Sequence, residues 1–192
     1  MYADISDFSK FSPGQQVLVI NSLIAITEDR NLWWAPGHEV FKAWKSRQAR
    51  LCIGDGYIFV FMDGIAATAF ASYLAQLIET RVAQRKLPVE FHFRIGIHVG
   101  PVYRFWDVGR EGWNYIGDGI TGGQRVLSAV GKDADDVVFI SSAVRQQIFA
   151  AKLETTFYRK MRSEMVNRGR RKDKHGNPWR VYEVNHTSLT AI

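Results

Sequence analysis

The chain has 192 residues, 46% hydrophobic and 23% charged, which suits one globular domain with its own core and excludes a fibrous or low-complexity protein. A net charge of +6 points to polyanions (nucleic acid, an anionic membrane or a nucleotide), and a single cysteine, Cys52, excludes an intrachain disulfide and a cysteine-rich metal cage. No apolar run reaches the roughly 20 residues of a membrane span, and Asp4 and Asp7 interrupt any signal-peptide layout, so cytoplasmic residence is expected.

In chain order, residues 2–8 read as the end of a strand entering a loop, and Met1 falls so close to it that some natural residues are expected to precede it. Ser12-Pro13-Gly14 supplies an N-cap and a proline at the first helical position, and Val17, Ile20, Leu23/Ile24 and Thr27 follow at helical spacing. Residues 31–50, with four large aromatics and a Pro36-Gly37 break, read as a loop and then a short helix. Two apolar runs, Leu51–Ile53 and Tyr57–Phe61, flank Gly54-Asp55-Gly56 and predict a hairpin with a tight turn. Cys52, among apolar neighbours, is expected to be a buried, inert thiol.

A long helix is predicted over Ile65–Arg85 from apolar residues every three or four positions. Val89–Val99 alternates apolar and polar residues and predicts a strand with one buried face. A turn at Gly109–Gly112 returns the chain into a strand ending at Tyr115-Ile116, and Gly119–Val130 reads as a short helix. Val137–Ile140, Phe157–Met161 and Trp179–Val184 read as strands and Ser142–Ala151 as a helix; the basic stretch from Arg159 to Arg180 reads as a solvated hairpin or loop. Strands that meet through hairpins predict an α+β fold over residues 1–192, a mixed, largely antiparallel sheet with helices packed on it.

Asp4 and Asp55 each stand at a loop or turn beside an apolar strand. If those strands are neighbours, the two carboxylates form the hard-oxygen pair that magnesium or manganese takes, with substrate phosphates completing the shell. By itself Asp-Gly in a hairpin is more often plain turn chemistry. Arg125, seven residues beyond Asp118, could present a permanently charged fork to a phosphoryl group, although a surface arginine is the commoner reading of such a residue alone.

Order changes these odds. Ala3–Ser9, Ile53–Gly56, Arg94–Gly100 and Tyr115–Asp118 through Arg125 stand in the order of the class III adenylyl and guanylyl cyclases, which the sequence resembles from Ala3 to Val184. The resemblance implies a ferredoxin-like core and two divalent ions, Mn2+ or Mg2+, held by Asp4, Asp55 and the Ile5 carbonyl. It implies Arg125 as the transition-state arginine and backbone amides near Phe8 and Ser9 as triphosphate ligands. Thr121 stands where the family has a ribose-orienting asparagine, and Lys174 is the candidate triphosphate lysine, with Lys172 and Arg171 as alternatives. Family members work as dimers with composite sites, so a homodimer is expected.

Two positions depart from the family in a way that bears on the base. Leu51 and Asn114 occupy the places where purine cyclases carry their base-reading pair, and Leu51 cannot hydrogen-bond a base. In this the chain resembles the pyrimidine cyclases of bacterial anti-phage systems, which implies UTP, or else CTP, as substrate and a cyclic UMP or cyclic CMP alarm signal. Asn114 offers a donor and an acceptor that suit either pyrimidine. Trp113 could stack on a base, whereas Tyr57 is expected in the core. Asp7, in place of a glycine, adds a third carboxylate that raises manganese affinity or points to solvent, and His98 reads as a satisfied sheet histidine. Rival readings are a purine cyclase with atypical base contacts, a degenerate nucleotide-binding module, and a nucleic-acid binder using residues 159–180, which no helix-turn-helix or zinc pattern supports.

Overall fold

The structure, a computed structural model, describes residues 1–34, 38–131, 135–152 and 155–187. Strand β1 (Tyr2–Ile5) leads through a 3-10 turn (Phe8–Lys10) into helices α1 (Pro13–Glu28), α2 (Arg30–Trp34) and α3 (His38–Lys45). Strands β2 (Arg47–Cys52) and β3 (Gly56–Phe61), helix α4 (Gly64–Ala83) and strand β4 (Phe93–Ile97) follow. Then come β5 (Tyr103–Asp107), β6 (Gly112–Ile116), α5 (Asp118–Val130), β7 (Val137–Ser141), α6 (Ser142–Ala150), α7 (Thr156–Ser163), β8 (Met165–Lys172) and β9 (Pro178–Val184). Seven strands form one sheet in the order β2-β3-β1-β4-β7-β9-β8, parallel between β4 and β7 and antiparallel at the other pairs, and β5 and β6 form a separate hairpin. The expected α+β architecture is the one observed.

Local signals account for the helix starts. Ser12 caps α1 in a reciprocal capping box with Gln15, and the Asp63 carboxylate accepts the Ala66 N–H at 2.7 Å to cap α4. The long helix α4 packs on one face of the sheet, where Phe70 stacks at 4.3 Å on the wholly buried Trp33, whose indole N–H donates to the Ile26 carbonyl at 2.8 Å. On β4, Phe93, Ile95 and Ile97 point into that core, as their alternation requires. The opposite face is also covered: Gly96 lies directly beneath α5, where Val126, Leu127 and Phe139 form a smaller apolar cluster.

Several expectations are corrected. Residues 157–161 belong to helix α7, not a strand, because Tyr158 and Met161, three apart, are the buried pair and the intervening positions face outward. The β2 strand starts four residues earlier than expected; its Arg47 and Arg50 reach Glu28 at 2.9 and 2.8 Å, a polar pattern that hid the strand. Cys52 is exposed, not buried, at the end of this edge strand. Val17 is 59% exposed, and the buried stripe of α1 is Val19, Leu23, Ile26 and Thr27. Pairing in β4 covers only Phe93–Ile97 of the predicted Val89–Val99. Pro36 and Gly37 lie outside the described residues. No helix among the described residues is long and apolar enough to cross a membrane.

Two glycine substitutions should therefore act in opposite directions. A Cβ at Gly96 would sit 2.7 Å from Leu127 Cγ and run into the Gly123 carbonyl, so Gly96→Ala should lower stability by about 1–3 kcal/mol. Gly14, in the first turn of α1 with open space around it, should gain about 0.4–1 kcal/mol as Gly14→Ala. Urea unfolding of the two variants beside the parent protein measures both.

Candidate active site

Strand β1 runs between β3 and β4, so Asp4 faces Gly56 on one side and Arg94 on the other. Only glycine fits at 56, because a Cβ would collide with the Ala3 carbonyl. The turn before it is closed by the Ile53 N–H donating to the Gly56 carbonyl at 3.1 Å, with Gly54 at φ +94°. The Ile5 N–H then donates to the Asp55 carbonyl at 2.9 Å. These bonds bring together Asp4 and Asp55, which line one open cavity of about 540 Å³ with Ile5, Phe8, Ser9 and Arg94. Tyr2, two residues before Asp4 on β1, feels both acids: burial, then the charges of Asp55 and Asp4, push its phenol up, opposed by a hydrogen bond with Gln124.

Arg94 is the residue that sequence reasoning missed. It ion-pairs with Asp4, donates from Nη1 to the Gly131 carbonyl at 3.1 Å, and keeps its Nε buried without a hydrogen-bond partner. The available signal was an arginine on a strand flanked by buried positions, where a charge needs an anion nearby. Asp7 is 67% exposed, adopts φ 54° and pairs with Lys10 at 2.7 Å, so its carboxylate bridges rim and solvent.

A second cluster forms across α5. Arg125, Thr121, Asp118, His98 and Trp179 line a cavity of about 160 Å³ that shares no lining residue with the first. Arg125 Nε lies 4.0 Å from Asp173, and the Thr121 hydroxyl donates to the Gly117 carbonyl at 3.4 Å. His98, one residue past the end of β4 and so not in the sheet as expected, is satisfied by the Ser141 hydroxyl at 2.9 Å, and burial pushes its imidazole below the usual value. Lys174 stands in the exposed turn from β8 to β9. Asp4, Ile5, Phe8, Ser9 and Asp55 thus converge; Arg125 and Thr121 converge elsewhere in the same chain.

The two positions expected to read the base, Leu51 and Asn114, do not line the acidic cavity. Leu51 is on edge strand β2, and Asn114 is on the separate β5–β6 hairpin. The Asn114 amide is engaged inside that hairpin, donating to Asp107 at 2.9 Å and accepting the Tyr115 N–H at 2.8 Å. The Asn114 bond holds the Asp107 carboxyl below the ordinary range. Trp113 is exposed and edge-on to Trp106, whereas Tyr57 is buried as expected.

The acidic cavity's rim is stapled by His92, whose Nδ1 lies 2.5 Å from Asp136 while its carbonyl accepts the Ser6 N–H at 2.9 Å. The Asp136 hydrogen bond raises the His92 pKa above its ordinary 6.5, against a lowering from burial. A raised folded-state value means stability that is complete below the unfolded pKa and lost as pH climbs through the folded one. Thermal melts of His92→Gln and the parent chain should differ at pH 6 and converge at alkaline pH; a difference that persists there would remove the staple's electrostatic origin. The pair is half exposed, so the effect should be small.

No family model matches the sequence, and no curated protein matches it. Solved structures do. The chain is similar over its full length to two structures of adenylate cyclases from Trypanosoma brucei in their monomeric state, with TM-scores of 0.64 and 0.62, 14% identity in each, and 90% and 88% of those chains covered. Over 95% of its length it is similar to the guanylyl cyclase Cya2, with a TM-score of 0.63, 16% identity and 88% of that chain covered. The fold is that of these cyclase structures.

Proposed function

We propose that the protein is a class III nucleotidyl cyclase that converts a nucleoside triphosphate to its 3′,5′-cyclic monophosphate and pyrophosphate. The observation that carries this reading is the Ile5-to-Asp55 backbone bond, which draws Asp4 and Asp55 to one open cavity beside the Phe8–Lys10 turn. Among the described residues no group of three or more His, Cys, Asp or Glu forms a closed metal cage. Two carboxylates at an open cavity are instead the donor set of Mg2+ or Mn2+, which complete their shells with phosphate oxygens and water. The Asp4–Arg94 pair supports the fit, since the site already stabilises positive charge against that carboxylate.

Two such ions, held by Asp4, Asp55 and the Ile5 carbonyl, would lower the pKa of the ribose 3′-hydroxyl and neutralise the triphosphate. The backbone amides near Phe8 and Ser9 hold the phosphate chain, and Arg94, with its orphaned Nε, adds a cation to the same cavity. The 3′ oxygen attacks the α-phosphorus in line and pyrophosphate leaves. Arg125 stabilises the charge that builds on the α-phosphoryl oxygens, Thr121 approaches the ribose, and Lys174 binds the triphosphate.

Arg125 and the aspartates occupy separate cavities of one chain, which supports a homodimer whose two sites each take the acids from one copy and Arg125 from the other. The β5–β6 hairpin supports it too, with Tyr103, Phe105, Trp106, Trp113 and Ile116 exposed together. UTP, ahead of CTP, is the proposed substrate, because Leu51 cannot read a purine edge and Asn114 offers both hydrogen-bonding senses once it leaves Asp107. Cyclic UMP or cyclic CMP would then serve as a cytoplasmic anti-phage signal. A purine cyclase with unusual base contacts is favoured by one specific fact: the similar structures are adenylate and guanylyl cyclases.

Incubation with each of the four triphosphates and Mn2+, followed by chromatography, decides the base, and no cyclic product from any of them would leave a nucleotide-binding module. Asp55→Ala should abolish product while the protein still melts cooperatively. Arg125→Ala should cost about 100- to 1,000-fold in rate. Mixing these two inactive proteins should regain turnover, since each mixed dimer would hold one intact composite site and about half of the dimers in an equimolar mixture would be mixed.

A further inference from the structure

The side chain of Asp173 has no solvent exposure although it is the only acid between Glu164 and Glu183, in the most basic stretch of the chain. Its two oxygens have separate partners. Oδ1 accepts the backbone N–H groups of His175 and Asn177, each at 2.9 Å, and so folds the turn that carries Lys174. Oδ2 accepts the Trp179 indole N–H at 3.2 Å and the Asn177 side-chain amide at 3.4 Å, and faces Arg125 Nε at 4.0 Å. Burial pushes this carboxyl's pKa up, but the donors from Asn177, His175 and Trp179 outweigh it and leave the acid below its ordinary range, hence ionised. A turn of this kind needs one oxygen acceptor, which an asparagine supplies as well as an aspartate. The second oxygen faces only donors, one of them cationic, and there a carboxamide would set N–H against N–H.

We propose that Asp173 is a positioning residue that binds the Lys174 turn through one oxygen and orients Arg125 through the other, so that both cations meet the nucleotide phosphates as one unit. This rests on the cyclase reading above. Anchored near Nε, the guanidinium keeps its terminal N–H groups directed away from the anchor, where an α-phosphoryl oxygen can take them. Arg125 is 43% exposed and α5 leaves its stem room to swing, so without the anchor it samples many rotamers. Trp179, which stands edge-on to His98 with ring centroids 5.1 Å apart, closes the cavity wall behind it.

The test uses the atomic division. Asp173→Asn keeps the oxygen that folds the turn and removes the charge beside Arg125, while Glu183→Gln removes an acid charge from the same strand pair, where it meets Arg168 and lines neither cavity. With the triphosphate the parent enzyme prefers, Asp173→Asn should lower kcat about 10- to 100-fold with KM changed less than about 2-fold. Glu183→Gln should stay within about 3-fold of the parent kcat. In an Arg125→Ala background Asp173→Asn should cost nothing further. Mixing Asp173→Asn with Asp55→Ala should restore turnover, because the first chain would still lend its aspartates and the second its Arg125. If Asp173→Asn fails to fold, Asp173→Ser, whose hydroxyl also accepts from the turn, replaces it. An unchanged kcat, an equal loss in the Arg125→Ala background, or a mixture as inactive as its parts would each overturn the proposal and leave the cyclase reading intact. A parent protein that makes no cyclic product would sink both.

Discussion

The hydrogen bond from Ile5 to the Asp55 carbonyl is the constraint on which the site depends. It continues the β1–β3 ladder one step past Asp4 and locks the β2–β3 turn against the end of β1. Gly56 makes it possible, because the Ala3 carbonyl occupies the space where any Cβ would lie. An acid on a strand end and an acid at a hairpin tip thereby become neighbours without any helix or long loop to hold them. Sheet pairing is the stiffest way to do this, since register fixes which residues face one another and a one-residue slip would turn Asp4 to the other side of the sheet.

Around that pair the charges are matched cation to anion. Arg94 neutralises Asp4 at the acidic cavity, Asp173 neutralises the Arg125 end of the second cavity, and Asp136 meets His92 at the rim. Each pair is partly or wholly withdrawn from water, where an unpaired charge would be costly. The fold can therefore keep an acidic cavity and an arginine-lined cavity without either charge collapsing onto the other. The two cavities share no lining residue, which is the ground for proposing a site assembled from two copies.

The two positions proposed to read the base sit in different parts of the fold. Asn114 belongs to a hairpin outside the main sheet, and its amide is committed to Asp107 and Tyr115. Leu51 sits on the edge strand at the far end of the sheet order. Leu51 pairs with Ile58 in the same β2–β3 hairpin whose tip carries Asp55, whereas Asn114 lies outside that framework.

Much of this was legible in the chain itself. The Ser12-Pro13 cap, the alternation through Ile95 and Ile97, and the glycines around Asp55 specify their elements through local sterics and hydrogen bonding, which depend on neighbours in sequence. The motifs holding Asp4, Asp55 and Arg125 were visible as types and spacings. Arg94 was not, because a strand arginine gains meaning only from the acid across the ladder, ninety residues away in the chain. Residues 157–161 defeated the sequence reading for a related reason: Phe157, Tyr158 and Met161 fit either period, and packing against the core selected the helix. The sequence by itself determined the local elements and the kinds of chemical group present. Tertiary structure alone decided which charges share a cavity, because an ion pair depends on distance through space, and that distance is set by strand order and register.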